Sequence, residues 1–187
     1  MNDTINAIQR RYACRAFSAD PIAPDSLSAI LEAGLHAPSG LNRQPWRVIA
    51  VTDPDLLAFW ERIGLEALRT YDPDGHERIM KRGGTVLYHA PAVVVVAAEQ
   101  LDPPHTSSLD AGIVVSHLAL AATALGIDNC VVALPGLALS GPDGPELRRR
   151  LLIPDGFEFA IALLLGHAAA APRQPHAIDP AKLIKIA

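Results

Sequence analysis

Residues 37–46 read Ala-Pro-Ser-Gly-Leu-Asn-Arg-Gln-Pro-Trp, and they place Ser39, Asn42 and Gln44 between two prolines. Proline, glycine and short polar side chains in such density make a fixed, hydrogen-bonded turn. The turn presents amide and hydroxyl groups on a rigid mount, which suits a planar heteroaromatic ligand with donors and acceptors along its rim. One helix earlier, the run Arg10-Arg11-Tyr12-Ala13-Cys14-Arg15-Ala16-Phe17 supplies Arg10, Arg11 and Arg15. Guanidinium forks match phosphate oxygens bidentately. A phosphate site joined to a rim-reading loop describes a phosphorylated aromatic cofactor. Taken singly, each feature has a plainer reading. Arginines at a helix end are usually solvated, and turn residues often satisfy only their own backbone. It is the two runs together that favour a ligand.

Other chemistries find less support. The seven histidines show no paired ligand spacing such as H-E-x-x-H, so no metal site is expected. Cys14, set between arginines, is placed for a lowered pKa, but packing is the better reading. No G-x-S-x-G elbow is present, and no G-x-G-x-x-G fingerprint that would hold a nicotinamide in a Rossmann unit. A formal charge of -4 gives no basic field for nucleic acid or an anionic membrane. The apolar runs at 90–98 and 159–166 are about strand length, and no membrane span is expected. Cys14 and Cys130 do not make a disulfide framework by spacing. With no leader pattern at the start, a cytoplasmic protein is expected.

The elements that must position these runs give a mixed α and β reading. Helices are expected over 4–11, and over a stretch opened by Pro24-Asp25-Ser26 with Leu27, Ile30, Leu31, Gly34 and Leu35 on one face. A strand over 46–52 is followed by a helix capped at Asp53-Pro54 that carries Leu56, Leu57, Trp60, Ile63 and Leu68. Residues 71–84 are polar and glycine-containing and read as a mobile cover. A second strand, 91–98, is apolar on both faces and hence interior. Residues 110–125 form a helix with hardly a polar face, either an ordinary core helix or one buried by a partner subunit. A strand at 129–134, a short helix at 145–152 and a strand at 159–166 complete the order. The three Pro-Asp-Gly triplets read as turns. The tail carries Pro172, Pro175 and Pro180 yet is apolar at Leu183, Ile184 and Ile186, so it is expected to pack on something rather than hang free. By length the 187 residues make one domain.

Arg11 to Phe17 resembles the R-R-S-x-R-x-F box of the FMN-dependent nitroreductase superfamily, and Ala37 to Trp46 resembles its A-P-S-x-x-N-x-Q-P-W box. Leu125-Gly126-Ile127 and Leu152-Ile153-Pro154-Asp155-Gly156 resemble later segments of that family in the right order, so the likeness covers about residues 4 to 175. The resemblance implies an α+β fold, a central mainly antiparallel sheet flanked by helices in an intertwined homodimer, with residues 168–187 as a C-terminal extension packing on the partner. It implies FMN as cofactor. Arg11 and Arg15 would hold the phosphate and ribityl chain, with Tyr12 and Ala13 beside them. Pro38, Ser39, Gly40 and Asn42 would come from the other subunit, with Gln44 nearby. Leu134, Pro135 and Gly136 would lie along the flavin N5 edge, and Arg173 would be a late arginine on the phosphate. Tyr12 and Ala13 depart from the family pattern, which removes one expected hydroxyl donor. Pro135 has no N–H, so Leu134 or Gly136 must serve N5. The implied reaction carries reducing equivalents from NAD(P)H to a nitroaromatic, quinone or enone by a ping-pong mechanism, with no catalytic side chain demanded and residues 60–84 shaping the acceptor site. A different flavin reaction, or a flavin-binding or sensing protein, are the alternatives.

Overall fold

The computed structural model describes residues 2–101, 105–171, 175 and 177–186. Helix starts follow their capping chemistry. Helix α1 (Asp3–Arg10) is capped by the Asn2 side chain, which accepts from the Thr4 and Ile5 amides, and it carries Asp3 in its first turn. Helix α2 (Pro24–Leu35) opens on a proline whose missing N–H costs nothing there. After strand β1 (Trp46–Val51), helix α3 (Pro54–Tyr71) is capped by Asp53, whose carboxylate accepts from the Asp55 and Leu56 amides.

Residues 71–84 do not form a loop. They contain the end of α3 and helix α4 (Pro73–Met80), capped by Asp72 accepting from the Gly75 amide. The first Pro-Asp-Gly triplet is thus a helix start, not a turn. Strand β2 (Ala92–Glu99), helix α5 (His105–Ala124), strand β3 (Asp128–Val132), a 3-10 segment (Leu134–Ser140), helix α6 (Gly144–Arg150) and strand β4 (Phe157–Gly166) follow.

The four strands pair antiparallel throughout in the order β1-β2-β4-β3. As expected, β2 is interior, and its residues alternate between two cores. Val93, Val95 and Ala97 face Trp60, Leu68, Leu147 and Leu151 from α3 and α6. Ala92, Val94, Val96 and Ala98 face Ile30 of α2 and Val114, Leu118 and Ala122 of α5. A bulge between Val96 and Ala97 shifts the pairing from Ile161 to Phe159, leaving Ala160 over. Ala160 and Ile161 therefore both join the α2/α5 side, and Phe159 points at Trp60, edge-on with ring centroids 6.5 Å apart.

Helix α5 is not enclosed all round within one chain. Ala111, Val114, Val115, Leu118, Ala119 and Ala122 are buried, while Leu109 and Ile113 are exposed, as is Leu125 in the turn just past its end. Its stretch Ser107–Ala124 is apolar and long enough to cross a membrane by length and composition, contrary to the expectation that no run would be, but here its buried face packs in the core behind the sheet. Past residue 177 the tail makes one 3-10 turn at Pro180–Lys182, and Ile178, Leu183, Ile184 and Ile186 are all exposed.

Candidate functional site

Helix α1 ends at Arg11, where the backbone turns extended (φ -56°, ψ 128°). The chain then runs along the outer edge of β3. The Tyr12 hydroxyl donates to Asp128 Oδ1 (2.8 Å) and the Cys14 amide donates to the Asn129 carbonyl (2.9 Å). Asp128 Oδ2 in turn accepts the Ala168 amide (2.9 Å), so one carboxylate ties the arginine segment to the chain leaving β4. The Phe17 amide donates to the Tyr88 carbonyl (3.1 Å), and Ser18 and Ala16 pair with His167 and Ala169. Burial, and then the hydrogen bond to Asp128, push the Tyr12 phenol well above its ordinary pKa.

Alternation along this extended segment places Arg11 half-buried and Arg15 exposed. Neither guanidinium meets a carboxylate among the described residues, whereas Arg62, Arg78, Arg148 and Arg149 all do. Tyr12 to Ala16, with Ala168, Ala170 and Ala171, line a cavity of about 80 Å³. Two cations without counter-charges beside a small cleft fit an anionic group such as a phosphate. Arg173 lies outside the described residues.

The 37–46 loop is held by its own polar groups. Ser39 Oγ accepts the Gln44 amide (2.9 Å), and Gln44 Nε2 donates to Asn42 Oδ1 (3.0 Å). A 3-10 turn spans Gly40–Asn42, and Leu41, Asn42 and Gln44 all take left-handed backbone angles (φ 55°, 52° and 49°). Such conformations cost energy in non-glycine residues and concentrate where a ligand or partner is met. Pro45 and Trp46 are buried, and the Glu99 amide binds the Pro45 carbonyl (2.9 Å), so the loop is anchored to β2. Pro38, Gly40, Asn42 and Gln44 are exposed, Ser39 is half-exposed, and Leu41 is 93% exposed.

The segment 134–136 follows β3 and shares its edge with the arginine run. The Trp60 indole N–H donates to the Pro135 carbonyl (2.9 Å), and the Gly136 amide donates to the Ala133 carbonyl (3.0 Å). Gly136 is needed for close approach, since a Cβ there would lie 2.4 Å from the Phe159 ring. The Gly136 amide is therefore spent inside the turn, which leaves Leu134 as the amide of this triplet that can serve a ligand. Trp60 is fully buried and bonded to Pro135, so it does not line an acceptor site as expected; it supports the turn from below.

The structure thus brings Arg11, Tyr12, Ala13 and Arg15 to the same sheet edge as Leu134 to Gly136. It does not bring Pro38 to Gln44 there. That loop leads into β1, at the opposite edge of the sheet. With strands about 4.8 Å apart, the two edges are separated by roughly 15–20 Å within one chain. A cavity of about 830 Å³ is elsewhere again: Pro21, Ile22, Leu27, Leu57, Glu61 and His89 are among its walls, and of the residues expected at the site only Glu61, from the 60–84 stretch, is among them. Two site-building residues escaped the sequence. Asp128 is separated by 116 residues from its Tyr12 partner, and its only local mark is the Gly126 turn before it. Glu61 gathers the Val86 and Leu87 amides and the Thr85 hydroxyl, and nothing in the surrounding composition signals it.

The model of the nitroreductase family matches residues 8–167. A solved nitroreductase with bound FMN from Desulfitobacterium hafniense is 40% identical, with a TM-score of 0.95 over 100% of both chains. The chain belongs to the nitroreductase family. A second nitroreductase with bound FMN, from Bacteroides fragilis, superposes over 100% of both chains with a TM-score of 0.85 at 27% identity. Among curated proteins, one named NADH dehydrogenase from Thermus thermophilus is 44% identical over 52 residues, which is 28% of this chain and 25% of that relative. The α+β fold with an antiparallel sheet flanked by helices is the nitroreductase one, as the two sequence boxes implied.

Proposed function

We propose that this nitroreductase-family chain is an FMN-dependent oxidoreductase that carries reducing equivalents from NAD(P)H to an electron-poor acceptor, a nitroaromatic, quinone or enone. It works as a homodimer with two equivalent sites, each assembled from both subunits. One observation carries the reading: the arginine segment and the rim-reading loop lie at opposite edges of one sheet. A ligand that uses both must lie between two copies.

In this arrangement Arg11 and Arg15 hold the phosphate, while Tyr12 and Ala13 form the floor that Asp128 fixes in place. Pro38, Ser39, Gly40, Asn42 and Gln44 of the partner subunit reach the ring and ribityl region. The Gln44 side chain, already bonded to Asn42, is preset rather than free to rotate, which limits the ordering cost of binding. Leu134 offers its amide at the N5 edge, and Trp60 and Phe159 keep the 134–136 turn from moving. Arg173 adds a late cation to the phosphate. Bound FMN supplies the hydride transfer, and the protein supplies position, electrostatics and access. No side-chain acid or base is required. The exposed Leu41, the outer stripe of α5 and the apolar tail 168–187 are covered by the partner, which accounts for large apolar groups otherwise left in water.

An anaerobic visible spectrum before and after NADPH or NADH tests the reading. A flavin spectrum that bleaches on addition supports it. A chain that takes up no FMN on incubation refutes it, and flavin that stays oxidised makes the protein a flavin binder instead. With no dinucleotide fingerprint, both substrates should use one place in succession, so varying both concentrations should give parallel double-reciprocal lines. Intersecting lines would mean a separate nicotinamide site.

A further inference from the structure

Asp128 is the first residue of β3 and pairs with Gly166, the last of β4. It stands where the sheet ends, between the arginine segment and the chain leaving β4. Each of these gives Asp128 one neutral donor, the Tyr12 hydroxyl to Oδ1 (2.8 Å) and the Ala168 amide to Oδ2 (2.9 Å). The two segments also hold each other, through the Ala169 amide on the Ala16 carbonyl (3.0 Å) and the Ser18 amide on the His167 carbonyl (2.8 Å). They enclose the cavity of about 80 Å³, with Tyr12 to Ala16 on one side and Ala168, Ala170 and Ala171 on the other. Asp128 is not among its walls. Its carboxylate joins no ion pair among the described residues, so the Arg11 and Arg15 charges are left for a ligand.

We propose that Asp128 is a positioning residue that acts through Tyr12 and Ala168: it holds both walls of this cleft at the spacing a phosphate needs, and so makes the chain choose FMN over riboflavin, the same flavin without the phosphate. This rests on the phosphate lying at Arg11 and Arg15 as proposed above. Charge alone argues for the opposite effect. A carboxylate close to a phosphate repels it, and partly buried charges are screened little. Removing the charge would then tighten binding. Geometry is what recommends a carboxylate here, because one planar group anchored at the base of β3 receives donors from two separate segments on its two oxygens. A neutral amide can keep that arrangement, with its oxygen accepting the Ala168 amide and its N–H group donating to the Tyr12 oxygen. A methyl group keeps neither bond.

The test is fluorescence titration of the full chain with FMN and, separately, with riboflavin. Asp128→Ala should weaken FMN binding about tenfold, the size of one charged hydrogen bond, and leave riboflavin within about twofold, so the ratio of the two affinities falls. Asp128→Asn should bind FMN at least as tightly as the parent protein. FMN affinity unchanged or raised in Asp128→Ala would mean that charge governs. Equal losses for FMN and riboflavin would mean a general loosening of the fold, and equal losses of FMN in the two variants would mean that the hydrogen bonds are not the cause. Each of these overturns the inference and leaves the cofactor reading standing. A parent chain that takes up no FMN, or binds it no better than riboflavin, overturns both. If Asp128→Ala does not fold, Tyr12→Phe decides, since it removes one donor and no charge. It should lower the FMN-to-riboflavin ratio about threefold, and an unchanged ratio would overturn the inference.

Discussion

Glu61 offers the sharpest test of how the arginine segment is held. Its Oε1 accepts the Val86 amide (2.7 Å), and its Oε2 accepts the Leu87 amide and the Thr85 hydroxyl (2.9 Å each). All three donors belong to buried residues. Beyond them Tyr88 and His89 adopt left-handed backbone angles (φ 52° and 61°), and the Tyr88 carbonyl takes the Phe17 amide at the end of the arginine run. Glu61→Ala removes the acceptor from two amides that cannot turn elsewhere, while the Thr85 hydroxyl can rotate to another partner. A buried donor left unsatisfied costs about 1–3 kcal/mol. Allowing for some water entry, the two amides together should cost about 2–4 kcal/mol.

For a chain of this size each kcal/mol lowers Tm by roughly 2–4 °C, so a fall of roughly 4–16 °C is expected in calorimetry. Glu61→Gln keeps one acceptor oxygen and should lose about half as much free energy. Urea unfolding of the three proteins measures this directly. If Glu61→Ala lies within about 0.5 kcal/mol of the parent protein, the carboxylate is not what fixes 85–89 and the reasoning fails.

With Arg15 on the FMN phosphate as proposed, Arg15→Ala should weaken FMN binding by about 1.5–3 kcal/mol, read by flavin fluorescence, and more than Cys14→Ala does, because a charge-assisted phosphate contact would be lost. Burial and the Asp128 bond hold the Tyr12 phenol well above its ordinary value, so the folded chain keeps that proton above about pH 10 while the unfolded chain releases it; stability then falls as pH rises past that point. Tyr12→Phe should flatten this alkaline decline in urea midpoints, and equal slopes would refute the assignment. Gly136→Ala puts a Cβ 2.4 Å from the Phe159 ring and should destabilise by about 1–3 kcal/mol in the same assay. Deleting residues 182–187 should shift the proposed dimer towards monomer in light scattering at micromolar concentration, and an unchanged dimer would release the tail from that role.

What could be read in advance was whatever short-range chemistry writes into neighbouring residues. The loop 37–46 declares itself through Pro38, Ser39, Asn42 and Pro45, and the valines 93–96 declare an interior strand because both of their faces are covered. Helix α4 stands where a mobile cover is expected, because Gly75 and its polar neighbours resemble a loop. Its start signal was nonetheless present in Asp72-Pro73, a cap followed by a proline at the first helical position. Gly75 belongs there because a Cβ at that place would lie 2.0 Å from the Asp72 carboxylate that caps the helix. Glu61 and Asp128 left no such mark. Their partners lie 24–26 and 116 residues away, and a carboxylate whose donors arrive only through tertiary folding looks like any other acidic residue in its local window.

The arginine box and the rim-reading loop read in the sequence as one ligand site, yet the fold sets them at opposite sheet edges. That separation is informative rather than contradictory once it is joined to the surface left open. Leu41, at the tip of the loop, is almost wholly exposed in a left-handed conformation that a bulky side chain disfavours. Helix α5 buries one face and leaves Leu109 and Ile113 outside on another, and the tail leaves Ile178, Leu183, Ile184 and Ile186 outside as well. A lone chain would gain nothing from this arrangement. A second copy related by a two-fold axis would meet the same stripe with itself and cover it. In the same step it would carry its own 38–44 loop to the edge where Arg11, Arg15 and Leu134 wait. The apolar stripe and the divided site thus ask for the same partner, and a variant that breaks the stripe, such as Ile113→Asp, should lose flavin and dimer together in one gel-filtration run monitored at the flavin band. Retention of flavin by the resulting monomer would separate the two and refute the shared origin.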